Sequence, residues 1–191
     1  MTNLEEIFKQ FQMDDKLLLE DMPNIDLYMD QVIQLFENKF GHSKRYKDDK
    51  VLTKTMINNY AKGKLFFPIK NKKYSKEHLI LISLIYQLKG GLSINDIRDT
   101  FEQTNENIEN DALDIESFYQ SYVSVTSNNA DRFKQDLEER IKEVEKEVDS
   151  FSEEEKVYLE KVLLITSLIH MSNLFRRAAE KVVDDIKKEK Q

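Results

Sequence analysis

Residues 52–74 read LTKTMINNYAKGKLFFPIKNKKY, a short amphipathic segment followed by an apolar run and a cluster of lysines. Thr53 or Thr55 suits the N-cap of a helix through Lys62. The buried side of this helix should consist of three residues: Met56, Ile57 and Tyr60. The LFFPI run and the KNKK after it are expected to form a small two-stranded wing, in which Pro68 permits only an edge or a turn. The pattern therefore predicts a short helix, a loop and a wing.

Helices are expected on both sides of this segment. Asn24 is placed as the N-cap of a helix that runs to about Phe40, before a stop at Gly41. Ser75 begins a helix to about Lys89 that is apolar nearly all round, so it should lie buried at the centre of the fold.

A capping-box pattern from Ser93 to Asp96 opens a further helix. Three of its apolar residues share a face: Ile94, Ile97 and Phe101. The polar, acidic stretch 103–114 that follows is expected to separate two domains.

The C-terminal half predicts three helices, over about residues 115–126, 129–149 and 153–188. The last two should form an antiparallel hairpin because their connection is short. Five apolar residues of the middle helix form a stripe: Phe133, Leu137, Ile141, Val144 and Val148. This stripe would pair with a second copy of the chain or pack within the chain against residues 157–175, and the spacing leaves both open.

Composition agrees with a helical protein. The chain has 191 residues, of which 40% are hydrophobic and 34% charged, as in a globular protein of one or two domains. The absence of cysteine excludes disulfides, thiol catalysis and zinc fingers. Only four glycines and two prolines argue against an all-β fold with many turns. The expected fold class is all-α.

The chain shows no pattern of a targeting signal or a membrane span. Residues 3–20 carry apolar side chains at helical spacing and are expected to form a helical arm, without the basic start of a secretory peptide. The most apolar stretch, residues 162–171, has about half the ~20 residues that a membrane span requires. We interpret that stretch as a buried helix and expect the protein in the cytoplasm, with no membrane partner.

Charge is distributed very unevenly along the chain. The net charge is −7, which ordinarily disfavours a nucleic-acid partner. Residues 44–78, however, hold eleven basic and three acidic side chains, a balance of +8, between acidic segments of −6 and −9. A central basic module of this density is typical either of a solvated surface or of a nucleic-acid interface.

The sequence gives no support to an enzyme. It lacks a glycine-rich phosphate loop, a G-x-S-x-G elbow and an H-E-x-x-H motif. Its three histidines, His42, His78 and His170, are isolated, and the carboxylates of residues 138–155 alternate with lysines in the manner of an exposed helix. We therefore expect no catalytic site, no metal site and no cofactor.

Residues 52–101 resemble the MerR superfamily of winged helix-turn-helix transcription regulators. The resemblance rests on the runs TMINNY (55–60), GKLFFP (63–68), KKYSK (72–76) and GLSINDIR (91–98). The similarity is closer still to an uncharacterised family of bacterial proteins, a domain of unknown function regarded as a group of predicted transcription regulators. That family adds the run LYMDQV, residues 27–32.

The resemblance implies a regulator that binds double-stranded DNA. Its recognition helix would be the segment 54–62, and the basic wing would follow. The candidate DNA-binding residues are Lys54, Thr55, Asn58, Asn59, Lys62, Lys64, Lys70, Lys72 and Lys73. An asparagine can pair with adenine in the major groove, and the lysines would contact phosphates. The expected organisation is an N-terminal arm (1–23), a DNA-binding domain (24–105) and a helical dimerisation or effector domain (106–191), in a homodimer.

Two further interpretations stay open. A helical adaptor that binds proteins could reuse the same scaffold, because fold does not fix function. A set of aromatic residues would line a small-molecule pocket or form ordinary core: Phe118, Tyr119, Tyr122, Tyr158 and Phe175. The sequence identifies no effector.

Overall fold

The computed structural model describes residues 16–189, and 72% of these are helical. Six α-helices occur within that range, with two strands of two residues each. The helices are α1 (Met29–Phe40), α2 (Lys54–Lys62), α3 (Lys76–Leu88), α4 (Ile94–Glu109), α5 (Ile115–Glu147) and α6 (Glu153–Glu189). The strands are β1 (Leu27–Tyr28) and β2 (Lys73–Tyr74). The all-α prediction is confirmed. The predicted N-terminal arm lies largely outside the described residues.

The chain divides into two compact units. Among the described residues, the larger unit comprises 16–124 and 180–189, and the smaller unit comprises 125–179. Helices α5 and α6 each contribute residues to both units. In the part of the chain that the structure describes, no helix has the length and apolar character that a bilayer crossing requires.

Helix α3 is the centre of the larger unit, as its composition predicts. Every residue from His78 to Ile85 is buried, because α3 is surrounded on all sides. Tyr119 of α5 packs against it and bonds with the Ser83 hydroxyl at 2.9 Å. The Tyr119 hydroxyl also donates to the Leu17 carbonyl at 2.7 Å. Burial raises the pKa of Tyr119 to about 12, so this phenol acts as a neutral hydrogen-bonding group.

The two strands do not form the wing that the sequence predicts. β2 pairs antiparallel with β1, with Leu27 opposite Tyr74 and Tyr28 opposite Lys73. The LFFPI run is not a strand, since Pro68 has no N–H and side chains occupy the backbone groups beside it. The Asn105 amide accepts from the Phe67 N–H at 3.1 Å and donates to the Leu65 carbonyl at 3.2 Å.

Helix α1 begins later than predicted. Asn24 is not its cap, because residues 27–28 pair with β2 and hold the chain extended there. The helix starts at Met29, and the Gln31 side chain accepts from the Tyr28 N–H at 2.8 Å. Ile25, which precedes the helix, is largely exposed.

The helices of the second half of the chain are longer than their sequence patterns indicate. α4 continues through the polar stretch to Glu109, supported by side-chain bonds from Gln103 to Glu106 and Asn107. α5 is one helix where two were predicted, because residues 127–130 contain neither glycine nor proline. Ile94 is exposed at the start of α4, although it was expected to share the buried face.

The smaller unit is built on a hairpin of α5 and α6. At the start of α6 the Glu155 carboxylate accepts from the Ser152 N–H at 3.3 Å and from the Ser152 hydroxyl at 2.6 Å. Arg140 of α5 donates to the Ser167 hydroxyl of α6 at 3.1 Å, consistent with antiparallel helices. Three stripe residues form the core with two leucines of α6: Leu137, Ile141, Val144, Leu164 and Leu168. The stripe therefore packs within the chain, one of the two alternatives that the sequence left open.

The apolar stretch 162–171 is not the buried helix that its composition predicts. Leu164 is buried, but Val162, Leu163, Ile165 and Ile169 are exposed. Tyr158 and Phe175 are largely exposed as well, so they are not core residues.

Candidate nucleic-acid interface

Helix α2 is fixed to the core on one side and capped at both ends. Thr53, rather than Thr55, is the N-cap, and its hydroxyl accepts from the Met56 N–H at 3.1 Å. Ile57 and Tyr60 are buried. At the other end Gly63 packs so closely that an added Cβ would lie 3.1 Å from the Asn59 carbonyl oxygen. The helix is therefore held in one position by caps and by its inner face.

The opposite face of α2 is exposed and polar. It consists of Lys54, Thr55, Asn58, Asn59 and Lys62. Lys64 follows with a left-handed backbone, φ 57°, and is also exposed. A nine-residue helix with this face presents two amides and several cations to the solvent.

Residues 70–73, which we name the lysine turn, form a tight reversal. Lys73 N–H donates to the Lys70 carbonyl at 3.0 Å, and Asn71 and Lys72 have φ values of 53° and 59°. Two successive left-handed residues are the mark of a type I′ turn, which suits a right-twisted pair of strands. Lys70 and Lys72 are exposed, and Lys73 is half-buried.

The start of α1 connects α2 to the lysine turn. Asp30, on the first turn of α1, binds the Lys54 ammonium at 2.8 Å. Tyr28, two residues earlier, lies under the Lys73 ammonium, with 5.2 Å between the nitrogen and the ring centroid. The structure therefore brings the first lysine of α2 and the last lysine of the turn to one junction.

His78 and Asn105 hold the segment between α2 and the lysine turn. The His78 ring donates from Nε2 to the Phe67 carbonyl at 3.2 Å, while Nδ1 accepts from the Ser75 N–H at 3.2 Å. Burial lowers the pKa of His78 below its ordinary 6.5, although the Phe67 bond, Glu77 and Asp26 act in the opposite direction. A neutral His78 has one donor and one acceptor, which is what these partners need.

The sequence identifies the exposed cations but not the groups that position them. All nine candidate residues lie on α2, just after it, or on the lysine turn, and only Lys73 is not exposed. The sequence pattern assigns no role to Asp30, Tyr28 or Asn105, and it shows His78 only as an isolated histidine. Asp30 and Tyr28 stand within the LYMDQV run, whereas Asn105 lies in a polar stretch with no distinguishing signal.

The loop 44–50 carries four more cations of the basic module: Lys44, Arg45, Lys47 and Lys50. Lys44 binds Glu37 of α1 and holds the pKa of that carboxyl below its usual range. Arg45 lies 5.3 Å from the Tyr46 ring centroid. The part of the loop after Lys44 is exposed, so its charges add to the positive surface of the larger unit.

A cavity of about 710 Å³ lies beside the C-terminal end of α2. Ala61 and Lys64 form one wall, and Arg98 and Glu102 of α4 form another.

Within residues 16–189 no group of three or more histidine and carboxylate side chains is arranged to hold a metal ion.

Comparison with known proteins finds a family match for the larger unit. A family model described as Domain of unknown function (DUF1836) matches residues 17–122, a little over half of the chain. This range contains α1 to α4, the lysine turn and the first residues of α5. No curated protein and no solved structure matches the chain.

Proposed function

The chain belongs to the Domain of unknown function (DUF1836) family, and on that premise we propose that it is a transcriptional regulator that binds duplex DNA through its larger unit. In this proposal α2 is the recognition helix of a MerR-like module, and the lysine turn has the place of the wing. Such a protein acts where the DNA is, in the cytoplasm.

The observation that carries the proposal is that the start of α1 contacts both α2 and the lysine turn, through Asp30 and Tyr28. A capped helix with an exposed amide face and a lysine-rich turn thus share one support, within a segment of charge +8. Phosphate contacts by lysine set the register of a protein on DNA, and helix side chains read the base edges. The geometry supplies both kinds of group.

Each candidate residue then has a role. Asn58 or Asn59 would pair with an adenine in the major groove, which contributes about 1–3 kcal/mol of discrimination. Lys54, Lys62 and Lys64 would contact the phosphates beside the recognition helix. The lysine turn would contact the neighbouring backbone, and Thr55 would donate its hydroxyl to a phosphate.

We also propose that the regulator is a homodimer, because two modules would read two half-sites of an operator. In that arrangement DNA binding is stronger for the pair than for one module. The interface that joins the two copies is a separate question.

Duplex binding over a series of salt concentrations tests the proposal. The logarithm of the binding constant should fall by about 0.9 per phosphate contact for each decade of salt. The triple variant Lys70→Ala/Lys72→Ala/Lys73→Ala should bind at least tenfold more weakly and show a smaller salt slope. The control, Lys142→Ala/Lys146→Ala/Lys161→Ala, removes the same charge from the smaller unit and should bind like the wild type.

Two results would contradict this function. Failure to bind any duplex at low salt would exclude a DNA-binding regulator and favour the protein-binding adaptor. Equal loss in the two triple variants would show that binding depends on total charge and not on the lysine turn.

A further inference from the structure

Helix α6 carries apolar side chains that the core of the smaller unit does not use. Four of them recur at intervals of 4, 3 and 4 residues, and we name them the outer stripe: Tyr158, Val162, Ile165 and Ile169. Their exposed fractions are 69%, 37%, 60% and 58%. Ile165 and Ile169 each follow a core leucine by one position, about 100° around the helix, so the outer stripe lies to one side of the face that packs in the hairpin core.

We propose that two copies of the chain associate through the outer stripe, with their α6 helices antiparallel about a two-fold axis at Ile165. The proposal extends the homodimer suggested above by naming its interface. It does not require DNA, so it can fail or hold independently of the DNA-binding function.

The charges along α6 favour a second copy of the chain as the partner, with its α6 helix running antiparallel. Glu154 stands eleven residues before Ile165 and Arg176 stands eleven residues after it, and both are exposed. An antiparallel pair centred on Ile165 places Glu154 of one chain opposite Arg176 of the other, at both ends of the seam. A parallel pair would place like charges opposite each other, which costs binding energy.

The same axis also matches the apolar positions. Ile165 meets its own copy, and Val162 lies beside Ile169 of the partner subunit. Spacing of 4, 3 and 4 is the period at which paired helices keep a continuous seam. A two-fold interface requires one surface that complements itself, and the outer stripe does so in the spacing of its apolar residues and in the charges at its two ends.

The amount of exposed apolar surface fits an interface of this kind. Each large stripe residue exposes on the order of 100 Å². The stripe therefore supplies roughly half of the ~800 Å² that each partner buries in a standard interface. The flanking charged and polar side chains of α6 supply the rim. Patches of a few hundred Å² on a protein surface commonly mark interaction sites.

Sedimentation velocity of the full chain over a concentration series, without DNA, tests the pairing. The wild type should form dimers, and Ile165→Asp and Ile169→Asp should each raise the dissociation constant at least tenfold. The control Leu163→Asp lies on another face of α6, with an exposed fraction of 37% equal to that of Val162, and should dimerise like the wild type. A wild type that is monomeric throughout would overturn the proposal, as would stripe variants that dimerise normally.

Charge reversal tests the direction of the helices. Glu154→Arg alone and Arg176→Glu alone should each weaken the dimer several-fold, and the two changes together in one chain should restore it. Single reversals without effect would overturn the antiparallel arrangement. Circular dichroism measures whether each variant keeps the helical content of the wild type. Should a stripe variant unfold, the reversals at two exposed positions still decide the outcome.

Discussion

His78 joins the start of α3 to the backbone at Phe67. Burial favours its neutral form, in which Nδ1 accepts from the Ser75 N–H and Nε2 donates to the Phe67 carbonyl. The rings of Phe66, Phe67 and Tyr74 surround the imidazole, with the Phe67 centroid 3.9 Å away. A charged imidazolium buried among these rings would lose its solvation by water.

We expect stability to fall as the pH drops below about 6.5. The pKa of His78 is lowered in the folded protein by burial, so the unfolded chain takes up a proton first. Protonation therefore favours the unfolded state between 6.5 and the lower folded pKa, and above 6.5 the full stability is present. Urea unfolding at pH 7.5 and 5.5 measures the difference. His78→Gln should be less stable at pH 7.5 and should show a smaller change between the two pH values.

A change in stability with pH that is as large in His78→Gln as in the wild type would contradict this role. In that case other groups would cause the loss at low pH. The experiment stays above the range in which most carboxylates titrate.

The sequence predicts well which side chains are exposed. It predicts less well which buried side chains hold the exposed segments in place. Alternation of apolar and polar residues places Ile57 and Tyr60 inside and the lysines outside, because helix periodicity is local. Asn105 makes two hydrogen bonds to the backbone of Leu65 and Phe67, which lie about forty positions before it. No local pattern distinguishes a buried asparagine of this kind from an exposed one.

The lysine turn combines a strained backbone with a high density of positive charge. Lys72 has a left-handed backbone, which costs a non-glycine residue roughly 1 kcal/mol. Lys70 is not in that region. The same four residues carry three of the candidate DNA-binding cations.

Lys72→Gly should therefore separate stability from DNA affinity. The free energy of unfolding should rise by up to about 1 kcal/mol, since Asn-Gly is the favoured pair in a type I′ turn. Duplex affinity should fall, because one phosphate contact is lost. Denaturant unfolding and binding assays measure the two effects. Lys70→Gly, the matched control, should lose affinity without gaining stability, and a gain of equal size would contradict the assignment to strain.

The elements themselves are predicted unevenly. Short sequence patterns locate the starts of four helices, whose N-cap residues are Thr53, Ser75, Ser93 and Ser152. The break expected between residues 126 and 129 does not occur, because polar residues without glycine or proline do not end a helix. The sequence predicts that the LFFPI run pairs with the lysine segment, whereas β2 pairs with β1. This pairing depends on tertiary structure, which no local pattern contains.

The central place of α3 has a consequence for the whole larger unit. Its residues 79–85 are buried on every side, so their amides become exposed only when the unit opens as a whole. Helix α2, in contrast, has only two fully buried side chains.

Amide hydrogen exchange should therefore be slowest in α3 among the helices of the larger unit. We expect the exchange of residues 80–85 to report global unfolding, while α2 and the lysine turn exchange through smaller openings. Measurement by NMR or by mass spectrometry with short peptides provides the order. Equal or greater protection of α2 would contradict this order and would place the proposed recognition helix in the most stable part of the unit.

For the whole molecule, the sequence predicts the fold class but not the tertiary surfaces. The scarcity of glycine and proline correctly indicates a helical protein. Composition does not distinguish an apolar stretch that packs in the core from one that faces outward, so residues 162–171 were assigned to the interior. The difference depends on which face of α6 the α5 stripe covers.

The pairing of β1 with β2 also affects how the protein folds. Leu27 and Tyr74 are 47 positions apart, and joining them closes a loop whose entropic cost is about 3 kcal/mol. Helices α1 and α2 form from local contacts and can precede this closure. The contact of Lys73 with Tyr28 at the start of α1 therefore requires this loop to close, whereas the contact of Lys54 with Asp30 does not. A nascent chain acquires the proposed DNA-binding surface only once residue 74 has left the ribosome and returned to residue 27.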